Sequence, residues 1–141
     1  MISFGVKKER VDYVKREGAY GVISDPVKGF GVILFDHTHF LVGGGMEKDE
    51  TPIACLNREF REEIGYEVLA YEYIDTYREF HQSIRSATYY ELIGKVYKVV
   101  LGEKLDVKTE EDHVLVWIKP DDLEGKMQLV YQSYVLESLT D

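Results

Sequence analysis

Glu59, Glu62 and Glu63 lie within one helical turn's reach of one another in the segment NREFREEIG, which follows the glycine run Gly43–Gly45. Like charges three or four residues apart on a helix repel, each pair destabilising it by a few tenths of a kcal/mol. Arg58 can relieve Glu62 one turn on, and Arg61 offsets part of the remainder. Between Glu47 and Glu67 there are still seven acids against Lys48, Arg58 and Arg61. Carboxylates crowded on a rigid base beside glycines offer oxygen ligands and negative charge. That is what a hard cation such as magnesium takes, usually with substrate phosphates completing its shell. The alternative reading is an ordinary solvated Arg/Glu helix face.

The elements that must position these acids can be read locally. Thr51 is a plausible N-cap, Pro52 suits the first helical position, and Gly65 is the stop signal. Ile53, Leu56, Phe60 and Ile64 recur at steps of three and four and fall within an arc of roughly 80°. The acids occupy a different arc, about a third of a turn away. Upstream, Arg10–Lys15 and Ala19–Ser24 read as strands separated by Gly18, and SDPVKGF supplies turn chemistry before an apolar strand at Gly31–Phe35. DHTH makes a tight turn into Phe40–Val42. Downstream, Tyr66–Gln82 and Ser86–Val100 read as long strands and LGEKLDVKTEED as a polar loop. His113–Ile118 is a short strand, Pro120–Gly125 a turn, and Met127–Leu139 a closing amphipathic helix. This order predicts an α+β domain with a mixed β-sheet and helices packed on it.

Composition narrows the function. The 141 residues fit one domain, expected to span 1–141, with 45% hydrophobic and 30% charged residues. The formal charge of −9 disfavours broad binding to nucleic acid or anionic membranes. No apolar run suits a membrane span, and the N-terminus lacks the apolar region of a signal peptide, so a cytoplasmic protein is expected. The single cysteine, Cys55, falls in the predicted helix and reads as a small buried residue.

One longer spacing decides between the readings of the acids. Gly44, five residues, Glu50, seven residues, then Arg58-Glu59-Phe60-Arg61-Glu62-Glu63-Ile64-Gly65-Tyr66 runs without a gap. It resembles the Nudix box, G-x5-E-x7-R-E-U-x-E-E-x-G-U with U a bulky apolar residue, over residues 44–66. Such a match arises by chance on the order of once in a million chains at ordinary residue frequencies. FLVGGGMEKDETP and TEEDHVLVWIKPDDL also resemble the family's segments before and after the box. Val42 stands where many members have proline, and Ala54 where glutamate is frequent, so no capping box is expected.

The resemblance implies a Nudix α/β/α sandwich with a mixed sheet between helices. It implies hydrolysis of a pyrophosphate bond in a nucleoside diphosphate linked to X, by attack of water on phosphorus with Mg2+, for which Mn2+ is a possible substitute. By position, Glu59 and Glu63 are the expected metal ligands, joined by Glu62, which can instead act on the water, and by the Gly43 carbonyl. Arg58 is expected to orient a carboxylate, and Glu50 to brace the loop. A general base outside the box is expected in KTEED, with Glu111 first and Glu110 second, a solvated turn being the alternative there. His37 and His39 flank a turn that is read as solvent-exposed or as touching phosphate. His81 and His113 are read as strand residues with no ligand-spaced partner. Tyr20 and Tyr73 are candidates for stacking on a base. ADP-ribose, coenzyme A, dinucleoside polyphosphates and oxidised nucleotides all stay open as substrates, and family habit suggests a homodimer. The rival class is a non-catalytic Nudix module that binds a nucleotide or a protein partner.

Overall fold

The computed structural model describes residues 1–140. Its organising element is one long strand, β2 (Val14–Asp25), around which the rest is arranged. The others are β1 (Ile2–Phe4), β3 (Gly29–Phe35), β4 (Thr38–Phe40), β5 (Val42–Gly45), β6 (Tyr66–Gln82), β7 (Tyr89–Lys104) and β8 (Val114–Ile118), with helices α1 (Pro52–Ile64) and α2 (Val130–Ser138). β2 runs parallel to β7 over Val14–Val22, antiparallel to β5 over Gly18–Gly21, and antiparallel to β3 over Ile23–Asp25. β7 continues to β6 and β1, while β3 also pairs β4 and β8. The sheet is therefore mixed.

Two differences from the sequence reading have a common cause. Arg10–Lys15 and Ala19–Ser24 are not two strands: Gly18 lies inside β2, and residues 10–13 lie outside it. A Cβ on Gly18 would sit 2.5 Å from the Gly44 carbonyl oxygen, so this glycine marks a close backbone approach rather than a break. β7 likewise runs on to Lys104, taking in the first four residues of the expected polar loop, because Val68 and Tyr66 of β6 are opposite Leu101 and Lys104. It starts at Tyr89 rather than Ser86, after a turn in which Ala87 adopts φ 57°.

Alternation along the strands assigns the two faces. Ala19, Ile23, Ile33, Val42, Tyr97 and Val99 bury against Cys55, Leu56, Phe60 and Ile64 of α1. Val22, Val32, Leu41, Tyr77 and Val96 point the other way, against Tyr131, Val135 and Leu136 of α2. The arrangement is the expected sandwich, with helices on opposite faces of the sheet. Phe60 is fully buried, and truncation to alanine there would cost about 3–5 kcal/mol.

The helices begin differently. Thr51 Oγ1 accepts from the Ala54 N–H at 3.2 Å, and Gly65, at φ 71°, closes α1 by donating to the Phe60 and Arg61 carbonyls. α2 has no side-chain cap of its own and is shorter than Met127–Leu139, because Leu129 is extended. Buried Glu79 of β6 accepts the Tyr131 N–H at 2.8 Å instead. Gln132, also buried, accepts the Leu41 N–H at 2.8 Å and so ties α2 to the strand entering the glycines.

Candidate functional site

The site forms where α1 passes beneath β5, with Glu59 and Glu63 of its second half against the glycines. The two faces of the glycine strand are both used. A Cβ on Gly44 would lie 2.6 Å from Glu59 Oε1, so any side chain there would displace that carboxylate. On the opposite face a Cβ on Gly43, whose φ is 143°, would meet the Tyr20 ring at 2.8 Å. The Gly43 N–H donates to Glu63 Oε1 at 2.8 Å, fixing one oxygen of that side chain. Cys55 is fully buried below the strand and donates to the Gly44 carbonyl at 3.4 Å, and burial pushes its thiol up to about 11. Its place is structural, as its position in the helix suggested.

Arg58 organises one half of the acids. Its guanidinium donates to Glu50 at 2.7 and 2.9 Å, to Glu59 Oε1 at 2.9 Å, to Glu62 Oε2 at 3.2 Å and to the Gly45 carbonyl at 3.0 Å. Glu47 adds a contact at 3.0 Å from the exposed side, although nothing in its spacing distinguishes it from surface charge. Charge-assisted bonds of this kind are the strong ones, and the Glu50 pair is nearly bidentate. Arg58, helped by the Glu47 N–H, holds the Glu50 carboxyl well below its usual range, at about 2.

Glu63 is in a different environment. It is 6% exposed, and burial, aided by Glu59, Glu110 and Glu62, pushes its carboxyl up to about 8 against the pull of the Gly43 N–H. Burial also raises Glu59, with Arg58 opposing the shift. The free oxygen of Glu63, Oε2, lies 2.9 Å from His113 Nδ1, and Glu110 Oε2 lies 2.6 Å from the same nitrogen. This corrects the reading of His113: it precedes β8 rather than lying in it, and it has two acidic partners. Glu63 is fifty residues away in sequence, so no local spacing could reveal the contact. The Glu110 contact spans a tight turn closed by the His113 N–H on the Glu110 carbonyl, and turn chemistry in TEEDH was its only local sign. The loop is docked by the helix end itself: the Glu62 carbonyl, left open at the C-terminus of α1, accepts the Glu110 N–H at 3.0 Å.

The structure thus brings Gly43, Glu50, Arg58, Glu59, Glu62 and Glu63 together and adds Glu110 and His113. Glu111 points to solvent. His37 is exposed in the turn after β3, and His39 lines a shallow pocket with Trp117 and Lys126. Tyr73 is half-exposed beside Tyr97, whereas Tyr20 borders a cavity of about 200 Å³ with Arg16, His81, Arg85, Tyr90 and Gln132.

The residues present fit a divalent cation. Glu59, Glu62 and Glu63 are hard oxygen donors on a rigid helix, the glycine backbone lies against Glu59, and Glu63 is a buried acid with no guanidinium among its hydrogen-bond partners.

Comparison with known proteins agrees with this fold. The fold is similar to that of a MutT NUDIX hydrolase from Burkholderia pseudomallei, with a TM-score of 0.70 at 20% identity over 90% of this chain and 99% of that one. It is also similar to a NUDIX hydrolase from Nitrosomonas europaea, with a TM-score of 0.68 at 18% identity over 89% and 88% of the two chains. In sequence, 90 residues are 38% identical to nucleoside triphosphatase NudI of Escherichia coli O81 (strain ED1a). That stretch is 59% of this chain and 62% of the relative, so less than two thirds of the relative's length is matched. The NUDIX domain model matches residues 14–137, and the chain belongs to the NUDIX domain family.

Proposed function

We propose that this chain is a divalent-cation-dependent pyrophosphohydrolase acting on a nucleoside diphosphate linked to X. The observation that carries this reading is the junction of Glu59 and Glu63 with the glycine strand, with Arg58 ordering Glu50, Glu59 and Glu62 beside it. The 38% identical relative described as a nucleoside triphosphatase makes nucleoside triphosphates the first substrates to test. Glu59 and Glu63, with the Gly43 carbonyl, would hold the cation, Mg2+ or in its place Mn2+. When bound, it supplies charge neutralisation at the phosphate oxygens and a more acidic water.

The chain's own residues do the rest. Arg58 fixes Glu59 against Gly44 and holds Glu62 one turn on, and Glu50 fixes Arg58. Glu62, whose side chain is 45% exposed, is the box acid most open to water and takes the proton from the nucleophile. Of the two loop acids, Glu110 is held against the site, so we assign to it the supporting role outside the box. The cavity beside Tyr20 lies across the glycine strand and has room to receive part of the substrate. The expected cytoplasmic homodimer without nucleic-acid affinity belongs to the same proposal, resting on the −9 charge and on family habit. Among the described residues no helix is long and apolar enough to cross a membrane.

The test is a panel of nucleoside triphosphates and other nucleoside-diphosphate derivatives, with phosphate and pyrophosphate release followed in Mg2+, in Mn2+ and in chelator. Metal-dependent turnover of at least one compound is expected. A panel without turnover in either ion would reject the reading and favour a binding module.

A further inference from the structure

We infer that His113 joins Glu63 and Glu110 as a nitrogen ligand, so that this chain's cation site favours Mn2+ over Mg2+ more than an all-carboxylate site would. The inference rests on the hydrolase reading for the identity of the site, and two of its three donors, Glu110 and His113, lie outside the box. One ligand atom each from Glu63, Glu110 and His113 lies within 4.8 Å of the others. Two carboxylate oxygens converge on one imidazole nitrogen, at 2.9 and 2.6 Å. A neutral ring carries at most one hydrogen on Nδ1 and can give it well to only one of them. A divalent cation resolves the conflict, because three lone pairs then point at one positive centre.

The surroundings hold these donors in place. The Gly43 N–H occupies Glu63 Oε1, leaving Oε2 for the shared position. The bond from the Glu110 N–H to the Glu62 carbonyl sets the loop against α1. The His113 ring meets Phe35 edge-on at 4.6 Å, and Phe35 is covered by the Arg85 guanidinium at 4.3 Å. Access is graded, with Glu63 6%, His113 22% and Glu110 40% exposed, which leaves an entry path from the loop side. Mg2+ demands oxygen ligands in a near-ideal octahedron. Imidazole suits iron, nickel, copper and zinc best, and Mn2+, which opens that first-row series while still taking carboxylates, accepts a nitrogen donor more readily than Mg2+ does.

The test is pulsed electron paramagnetic resonance on the full chain loaded with Mn2+ alone. Nitrogen modulation from a directly bound imidazole is expected, changing its pattern when the protein is made with 15N-histidine and disappearing in His113→Asn. In equilibrium titrations that variant should bind Mn2+ about tenfold more weakly and Mg2+ weaker by no more than about threefold. Absence of nitrogen modulation in the wild type, its persistence in His113→Asn, or equal weakening for both ions would overturn the inference. The isotope experiment on wild type decides the matter even if the variant does not fold. Hydrolysis without nitrogen coupling would sink only this inference; nitrogen coupling without hydrolysis would sink only the proposed function.

Discussion

Glu50 and Glu63 stand at opposite ends of one acid cluster and have opposite fates. Glu50 meets a fixed cation, the Arg58 guanidinium, and its carboxyl drops to about 2. Glu63 is buried with a backbone N–H and an imidazole as its partners, and burial raises it to about 8. The glycine loop and the helix after it thus divide the work between scaffold and ligand. Where the chain supplies its own positive charge the carboxylate is a brace, and where it withholds one the carboxylate is kept for a cation from solution.

Neutralising the buried end should have the largest effect. Glu63→Gln keeps the shape but removes the charge, and cation affinity and turnover should each fall by about a hundredfold or more; calorimetric titration with Mn2+ checks the first and phosphate release the second. Next comes Arg58→Ala, which leaves Glu50 and Glu59 facing one another without their guanidinium. We expect the melting temperature in chelator to drop by roughly 5–10 °C. Added Mn2+ should recover part of that drop, because the stranded acids then have a cation, and a thermal scan with and without the ion reads this directly.

The brace end predicts a pH effect. The folded-state pKa of Glu50 is depressed, so its contribution to stability is present above the usual 4.5 and is lost as pH falls towards about 2. In chelator, Glu50→Gln should therefore lower the melting temperature near neutrality and flatten its decline between those two values. An unchanged acid limb would break the assignment of Glu50 as brace. The smallest effect is expected outside the cluster. Glu111→Gln should change turnover by no more than about twofold, whereas Glu110→Gln should cost about tenfold, both measured at saturating cation.

Legibility followed the range of the interactions. The caps of α1, Thr51 and Gly65, act within five residues of the groups they satisfy, so its bounds could be read from sequence. Glu59, Glu62, Glu63 and Arg58 share that helix, and their spacing alone brought them together. β2 was misread as two strands because the function of Gly18 depends on Gly44, on a strand not yet formed when the sequence is read locally. α2 takes its N-terminal acceptor from Glu79, fifty-two residues away, and no local signal places its start. His113 has the same history: its partner Glu63 is local to the box, but the loop that delivers it is placed by a helix-end carbonyl.

The central claim is that the acids ordered by Arg58 form a cation-dependent hydrolytic site. The most direct measurement is the rate of phosphate or pyrophosphate release by wild type and Glu62→Gln on the same nucleotide panel in Mg2+ and Mn2+, with circular dichroism and melting to verify the fold. A loss of at least about a hundredfold is expected in the folded variant. Equal rates in the two proteins, at equal fold, would contradict it.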